Sequence, residues 1–230
     1  MNVAAQFDQR VVVHSEQLPW VASPMPGVQR RLLDRVGDEV ARATSIVRYA
    51  ANSVFSPHIH SGGEEFIVLE GVFQDEHGDY PAGTYVRNPP HSKHKPGSQK
   101  GCIIFVKLWQ FQPQDRYRMS VQTSSLKATP SLMHTGVLNT PLYKDDIEEV
   151  SLLTFEPYAE LKLKVNGGAE LLVLQGSVQE HDDELCKYSW LRVPLNSQIS
   201  AKAGEQGAKV WLKTGHLRDV ERQIARVKAC

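Results

Sequence analysis

Gly62-Gly63-Glu64-Glu65-Phe66-Ile67-Val68-Leu69-Glu70-Gly71 returns 105 residues later as Gly167-Gly168-Ala169-Glu170-Leu171-Leu172-Val173-Leu174-Gln175-Gly176, with six of the ten positions identical. At the same offset Arg87 meets Arg192 and Pro89 meets Pro194. Near the start, Arg10-Val11-Val12-Val13 resembles Arg118-Met119-Ser120-Val121 at an offset of 108. Short apolar strands resemble one another by chance, but a shared spacing across separate segments marks an internal duplication. The polar stretch from Gln110 to Thr123, with Pro113 and neighbouring charges, lies between the copies. Two related domains are therefore expected, 1–114 and 115–230.

Around the repeat, strand signals dominate. Runs such as Ser45-Ile46-Val47-Arg48-Tyr49 and Cys102-Ile103-Ile104-Phe105-Val106-Lys107-Leu108-Trp109 are rich in β-branched and aromatic residues and are bounded by Gly, Pro, Asn and Asp. Many short strands at close spacing predict an all-β sandwich or barrel. One helix is predicted, from His216 to Lys228, where Leu217, Val220, Ile224 and Val227 mark a single face at three- and four-residue steps. That stripe is expected to dock on the β-core.

Bulk properties narrow the function classes. With 26 basic and 26 acidic residues the formal net charge is zero, so no field draws the chain to nucleic acid or an anionic surface. No apolar run approaches the ~20 residues of a membrane span, and the start lacks a secretion signal. The cysteines, Cys102, Cys186 and Cys230, are odd in number and without paired spacing, which suits a reducing cytoplasm. Cys102 is expected to be a small buried residue and Cys230 an exposed one.

Chemistry concentrates at Pro57-His58-Ile59-His60-Ser61-Gly62-Gly63-Glu64, with His94 further on. Two histidines at i and i+2 on a strand share a face, because side chains alternate with period two. Imidazole is the commonest metal ligand and a carboxylate adds a compensating negative charge. His58, His60, Glu64 and His94 thus form a candidate set for one divalent ion. The duplication provides a test within the one sequence: at the offset of 105 the four become Leu163, Val165, Ala169 and Ile199, all apolar. Concerted replacement is what loss of an ion predicts, since a buried imidazole or carboxylate without its partner is costly. Glu65 remains glutamate as Glu170, and His91 remains polar as Asn196, so neither varies with the set. Glu65 is read as structural, and His91 as a loop residue or a support for the ligands. Tyr49, Phe66, Arg87, Phe105, Lys107 and Trp109 sit on strands that could face the first barrel interior, where most are expected to be packing.

The spacing His58-x-His60-x-x-x-Glu64, then Gly71, resembles the first motif of the cupin superfamily. The stretch from Gly78-Asp79-Tyr80-Pro81-Ala82-Gly83 to His94 resembles its second motif. Phe73-x-Asp75-Glu76-x-Gly78-x-Tyr80 and Pro89-Pro90-x-Ser92-x-His94 are similar, more narrowly, to ChrR-type cupins, a group that includes the cupin domain of ChrR anti-sigma factors. The resemblance implies an all-β chain of two tandem cupin (jelly-roll β-barrel) domains with a short C-terminal helix, the second lacking the metal ligands. It implies one divalent metal ion per chain, zinc first, with iron, manganese or nickel compatible with the same donors. Two activities follow, beside a plainer alternative in which the ion only fastens the barrel. One is a regulatory, sensor-type protein in which a small molecule or oxygen species acts at the metal and alters a regulatory protein partner. The other is a metal-dependent dioxygenase of the β-diketone-cleaving type, and no catalytic residue is assigned for it. The family's sigma-binding N-terminal domain is expected to be missing, because strand signals begin at Arg10 and no cysteine precedes Cys102. Neither nucleic acid nor membrane is expected as a partner, and both a monomer and a homodimer through β-edges fit the sequence.

Overall fold

The computed structural model describes residues 1–230. It divides into two compact β-units. In the first, Val28–Gly37, Ala41–Tyr49, Cys102–Leu108, Glu64–Asp75, Thr84–Asn88 and Met119–Gln122 lie side by side in that order, each antiparallel to the next. The second repeats the order with Val137–Lys144, Glu149–Phe155, Ser197–Thr214, Ala169–Glu180, Ser189–Val193 and Val11–His14. Both units have a jelly-roll-like arrangement. No helix is long and apolar enough to cross a membrane.

The division at 114/115 expected from sequence differs from the one the chain adopts. The first unit comprises Met1–Ala5, Pro19–Ser125 and Glu221–Cys230, and the second Gln6–Leu18 and Leu126–Val220. Edge pairing is the reason. Val11–His14, which opens the first copy, pairs with Ser189–Val193 of the second unit, Val11 facing Arg192. Its counterpart Met119–Gln122 pairs with Thr84–Asn88 of the first, Met119 facing Arg87. The two first strands are thus exchanged, with equivalent register in both places. Sequence periodicity identified both strands but carried no information on which sheet each completes.

Alternation sorts the side chains. Phe66, Val68, Phe73, Val86, Ile104 and Val106 fill the interior of the first unit, with Tyr49 packed edge-on to Phe73. Leu161, Val165, Ala169, Leu171, Val173 and Ile199 fill that of the second, with Leu163 packed against them. The opposite face of the central strands is also buried and carries charge. There Glu65 stands opposite Arg87 on one neighbouring strand and Lys107 on the other. Glu170 stands in the same way between Arg192 and Lys213. Glu65 accepts from the Tyr85 hydroxyl and lies 3.6 Å from the Arg87 guanidinium. Glu170 accepts from Trp190 Nε1 at 3.1 Å and pairs with His216 Nε2 at 2.9 Å. Arg87, Lys107 and Phe105 therefore do not face the barrel interior, whereas Phe66 and Tyr49 do.

The repeated glycines mark close approaches. A Cβ on Gly71, at φ +71°, would stand 2.1 Å from the Gly101 carbonyl oxygen, and one on Gly176, at φ +68°, 2.0 Å from that of Gly207. The C-terminal segment is shorter as a helix than its pattern predicts: His216–Asp219 is a 3-10 turn and Val220–Lys228 the α-helix. Its buried face includes a polar residue, Gln223, which accepts from Arg42 Nε at 2.8 Å and donates to the Gln110 carbonyl at 3.0 Å.

Cys102 is buried while Cys186 and Cys230 are exposed. Burial pushes the Cys102 thiol up to about 11, against a hydrogen bond with Ser98. At pH 8 about one in a thousand such thiols is ionised. A thiol-specific chromogenic reagent at pH 8 should therefore titrate two thiols rapidly and the third only on unfolding. Gly71→Ala should lower stability by about 2 kcal/mol or more, read as a shift in the denaturant midpoint, because strain and a backbone clash coincide there.

Candidate metal centre

His58–His60 and Ser92–His94 form a two-stranded antiparallel ribbon, with His58 opposite His94 and His60 opposite Ser92. Alternation puts His58 and His60 on one face, and the register brings His94 onto it from the partner strand. The three rings meet edge to face, with centroids 4.7 Å (His58–His60), 4.8 Å (His60–His94) and 5.1 Å (His58–His94) apart. One ring nitrogen from each lies within 4.8 Å of the others. His60 Nε2 and His94 Nε2 are only 2.9 Å apart. Glu64, at the start of the Glu64–Asp75 strand, places Oε2 3.4 Å from His60 Nε2 and 3.7 Å from His94 Nε2. The four residues singled out in the sequence are thus brought together.

The turn that aligns them depends on its glycines. A Cβ on Gly62 would sit 2.2 Å from the Trp109 ring, and one on Gly63, at φ +78°, 2.5 Å from that of Phe111. His91 adopts φ +69° and donates its backbone N–H to the His60 carbonyl at 2.9 Å. It is exposed and belongs to the loop. Asn196 takes the same left-handed conformation in the second copy, which asparagine tolerates well.

A shell of polar contacts orients the donors. Asp75 Oδ2 lies 3.3 Å from His94 Nδ1, and Asp75 Oδ1 accepts from the Tyr80 hydroxyl at 3.1 Å and the His77 backbone N–H at 2.8 Å. His58 Nδ1 lies 3.2 Å from the Ser56 carbonyl, leaving Nε2 for the site. Asn88 donates to Glu64 Oε2 at 3.2 Å, while its own carboxamide oxygen is buried without a partner. Sequence reasoning missed Asp75, Tyr80 and Asn88 as supports, although the repeat signals two of them. At the offset of 105 Tyr80 becomes Leu185 and Asn88 becomes Val193. Asp75 stays acidic as Glu180, which is engaged with Arg10 at 2.6 Å.

Electrostatics in the cluster oppose one another. Burial lowers the pKa of His60, and the His94 and His58 rings add to this against the pull of Glu64. Burial would lower His94 too, but the hydrogen bond to Asp75 and the charge of Glu64 outweigh it and raise its pKa. Burial and the Asp75 charge push Tyr80 up to about 12, so it serves Asp75 as a proton donor. The two carboxylates thus favour positive charge among crowded imidazoles, which a divalent ion supplies. The donor spacings agree. Ligands bound to a first-row ion at about 2.0–2.2 Å lie about 2.9–3.6 Å apart at adjacent positions, close to the 2.9, 3.4 and 3.7 Å found here. Three nitrogens and one oxygen form a donor set that suits zinc, iron, manganese and nickel alike.

Residues 8–112 match the family described as ChrR Cupin-like domain. Among solved structures, a proposed dioxygenase of Nostoc punctiforme is similar over 89% of this chain and 82% of its own, with 15% identity and a TM-score of 0.71. The fold is a cupin fold. Escherichia coli Ylba, also 15% identical, matches over 92% of this chain and 93% of its own with a TM-score of 0.68. A single-site variant of Bacillus subtilis oxalate decarboxylase matches over 89% of this chain and 76% of its own, at 10% identity and a TM-score of 0.64. No curated protein matches the chain. The histidine cluster and Glu64 lie within the matched residues.

Asp75→Asn keeps the shape but removes the charge behind His94. It should weaken divalent-ion binding about 10–100-fold, measured by competition with a chromophoric chelator.

Proposed function

We propose that the protein is a ChrR-like bicupin of regulatory, sensor type. It holds one divalent ion per chain, zinc first, through His58, His60, Glu64 and His94. The reading rests most on the degenerate copy. Leu163 stands opposite Ile199 where His58 stands opposite His94, and Ala169 opposite Val193 where Glu64 stands opposite Asn88. One register therefore serves both copies, while the four donor positions and Asn88 are apolar in the second.

When bound, the ion supplies a Lewis-acid centre able to take a small molecule or oxygen species. His58 is partly exposed, whereas the His60 and His94 side chains are only 9% and 2% exposed, so the cluster is approached from the His58 side. Asp75 fixes the His94 ring through Nδ1, and Asn88 holds Glu64 Oε2 in place. Glu64 is the group positioned to take a proton from an arriving ligand. The signal is then read by a regulatory protein partner in the cytoplasm.

A second reading, a metal-dependent dioxygenase of the β-diketone-cleaving type, draws on the same approach at His58. The proposed dioxygenase of Nostoc punctiforme shares the fold.

Elemental analysis of protein purified without chelators tests the shared premise. About one divalent ion per chain is expected, lost in His58→Ala/His60→Ala with the β-fold retained by circular dichroism. Metal-free wild type would overturn the site itself. Zinc, with a protein partner captured only by the metal-loaded form, supports the sensor. Iron, with oxygen uptake on adding a β-diketone and its loss in His58→Ala, replaces it with the enzyme.

A further inference from the structure

Glu64 has Leu108 opposite it on one flanking strand and Asn88 on the other, and of the two only Asn88 offers a hydrogen bond. The Asn88 Nδ2 donates to Glu64 Oε2 at 3.2 Å. That same oxygen faces His60 Nε2 at 3.4 Å and His94 Nε2 at 3.7 Å. The contacts of the carboxylate therefore converge on a single atom.

Asn88 makes this contact from an unfavourable position. An ionised carboxylate only accepts hydrogen bonds, so the amide must turn its nitrogen toward Glu64 and its oxygen away. Asn88 is 3% exposed, and its oxygen is buried without a partner. An unpaired buried acceptor is destabilising, and the fold does not require one here. At the equivalent register the second unit places Val193 opposite Ala169. The amide thus accompanies the carboxylate, and a valine takes its place where the carboxylate is absent.

A carboxylate free to turn can hold an ion through one oxygen or through both. Zinc favours four donors, a number that three imidazoles and one oxygen meet. Manganese suits a larger shell richer in oxygen. The N–H on Oε2 opposes the rotation that would present both oxygens equally. We propose that Asn88 determines ion selectivity at this centre, holding Glu64 to one-oxygen binding and so favouring zinc over manganese. The role rests on the proposed ligand set, and it names what chooses among the ions those donors accept. Asn88 is a positioning residue and acts through Glu64.

The full-length protein and Asn88→Val, both stripped of metal, are titrated with zinc and manganese against a chromophoric chelator. Cobalt, which absorbs in the visible, reports the coordination number. Circular dichroism and thermal unfolding check the fold, and Asn88→Ala removes the same N–H should the valine variant not fold. Zinc affinity should fall ~10-fold, manganese affinity should change less, and the cobalt band should weaken as the coordination number rises. An equal loss for both ions with an unaltered cobalt spectrum overturns the proposal, by reducing Asn88 to packing. Unchanged zinc affinity in a folded variant overturns it too, while leaving the ligand set standing. Wild-type protein that binds none of the three ions overturns the ligand set and the selectivity role together.

Discussion

A buried carboxylate with a cation opposite it on each flanking strand fixes the register of the central sheet. Glu65 lies between Arg87 and Lys107 in a face closed to water. A slip of the Glu64–Asp75 strand by one residue would turn Glu65 toward the apolar interior and leave Arg87 and Lys107 buried without it, at a cost of several kcal/mol. Because Glu65 cannot turn inward, Glu64 must. Glu64, beside the histidine cluster, is thus aimed by its neighbour, and the apolar residues Phe66 and Val68 follow on the same face.

The same device explains what duplication preserved and what it released. Glu170, Arg192 and Lys213 keep the register in the second unit, so they persist. The inward positions equivalent to His58, His60, Glu64 and His94 carry no such pairing and are apolar in the second unit. Keeping the outer charges while losing the inner donors is what separates a fold requirement from a site requirement in this chain.

Much of this was legible in the residues themselves. The strands, the quartet and the structural role of Glu65 followed from period-two alternation and from comparing the copies. Asp75 escaped because its counterpart Glu180 is also acidic, held for a different reason by Arg10. Gln223 escaped because a polar residue in a helical stripe signals solvent, whereas here it meets Arg42. The exchanged strands escaped for a deeper reason. Val11–His14 fits the edge of either sheet by pattern, and only tertiary pairing selects Ser189–Val193.

That exchange has a consequence for how the chain is made. Residues 11–14 leave the ribosome long before residues 189–193 exist, so this strand must wait, without its partner, while most of both copies is synthesised. During that wait it is an exposed β-edge, and the second sheet cannot be closed without it. The first unit likewise stays open until its own late strand and the helix at 220–228 arrive. Neither barrel can therefore mature as an early, autonomous folding unit. Completion of each is tied to residues encoded in the other copy, which makes the pair, not the half, the unit that folds.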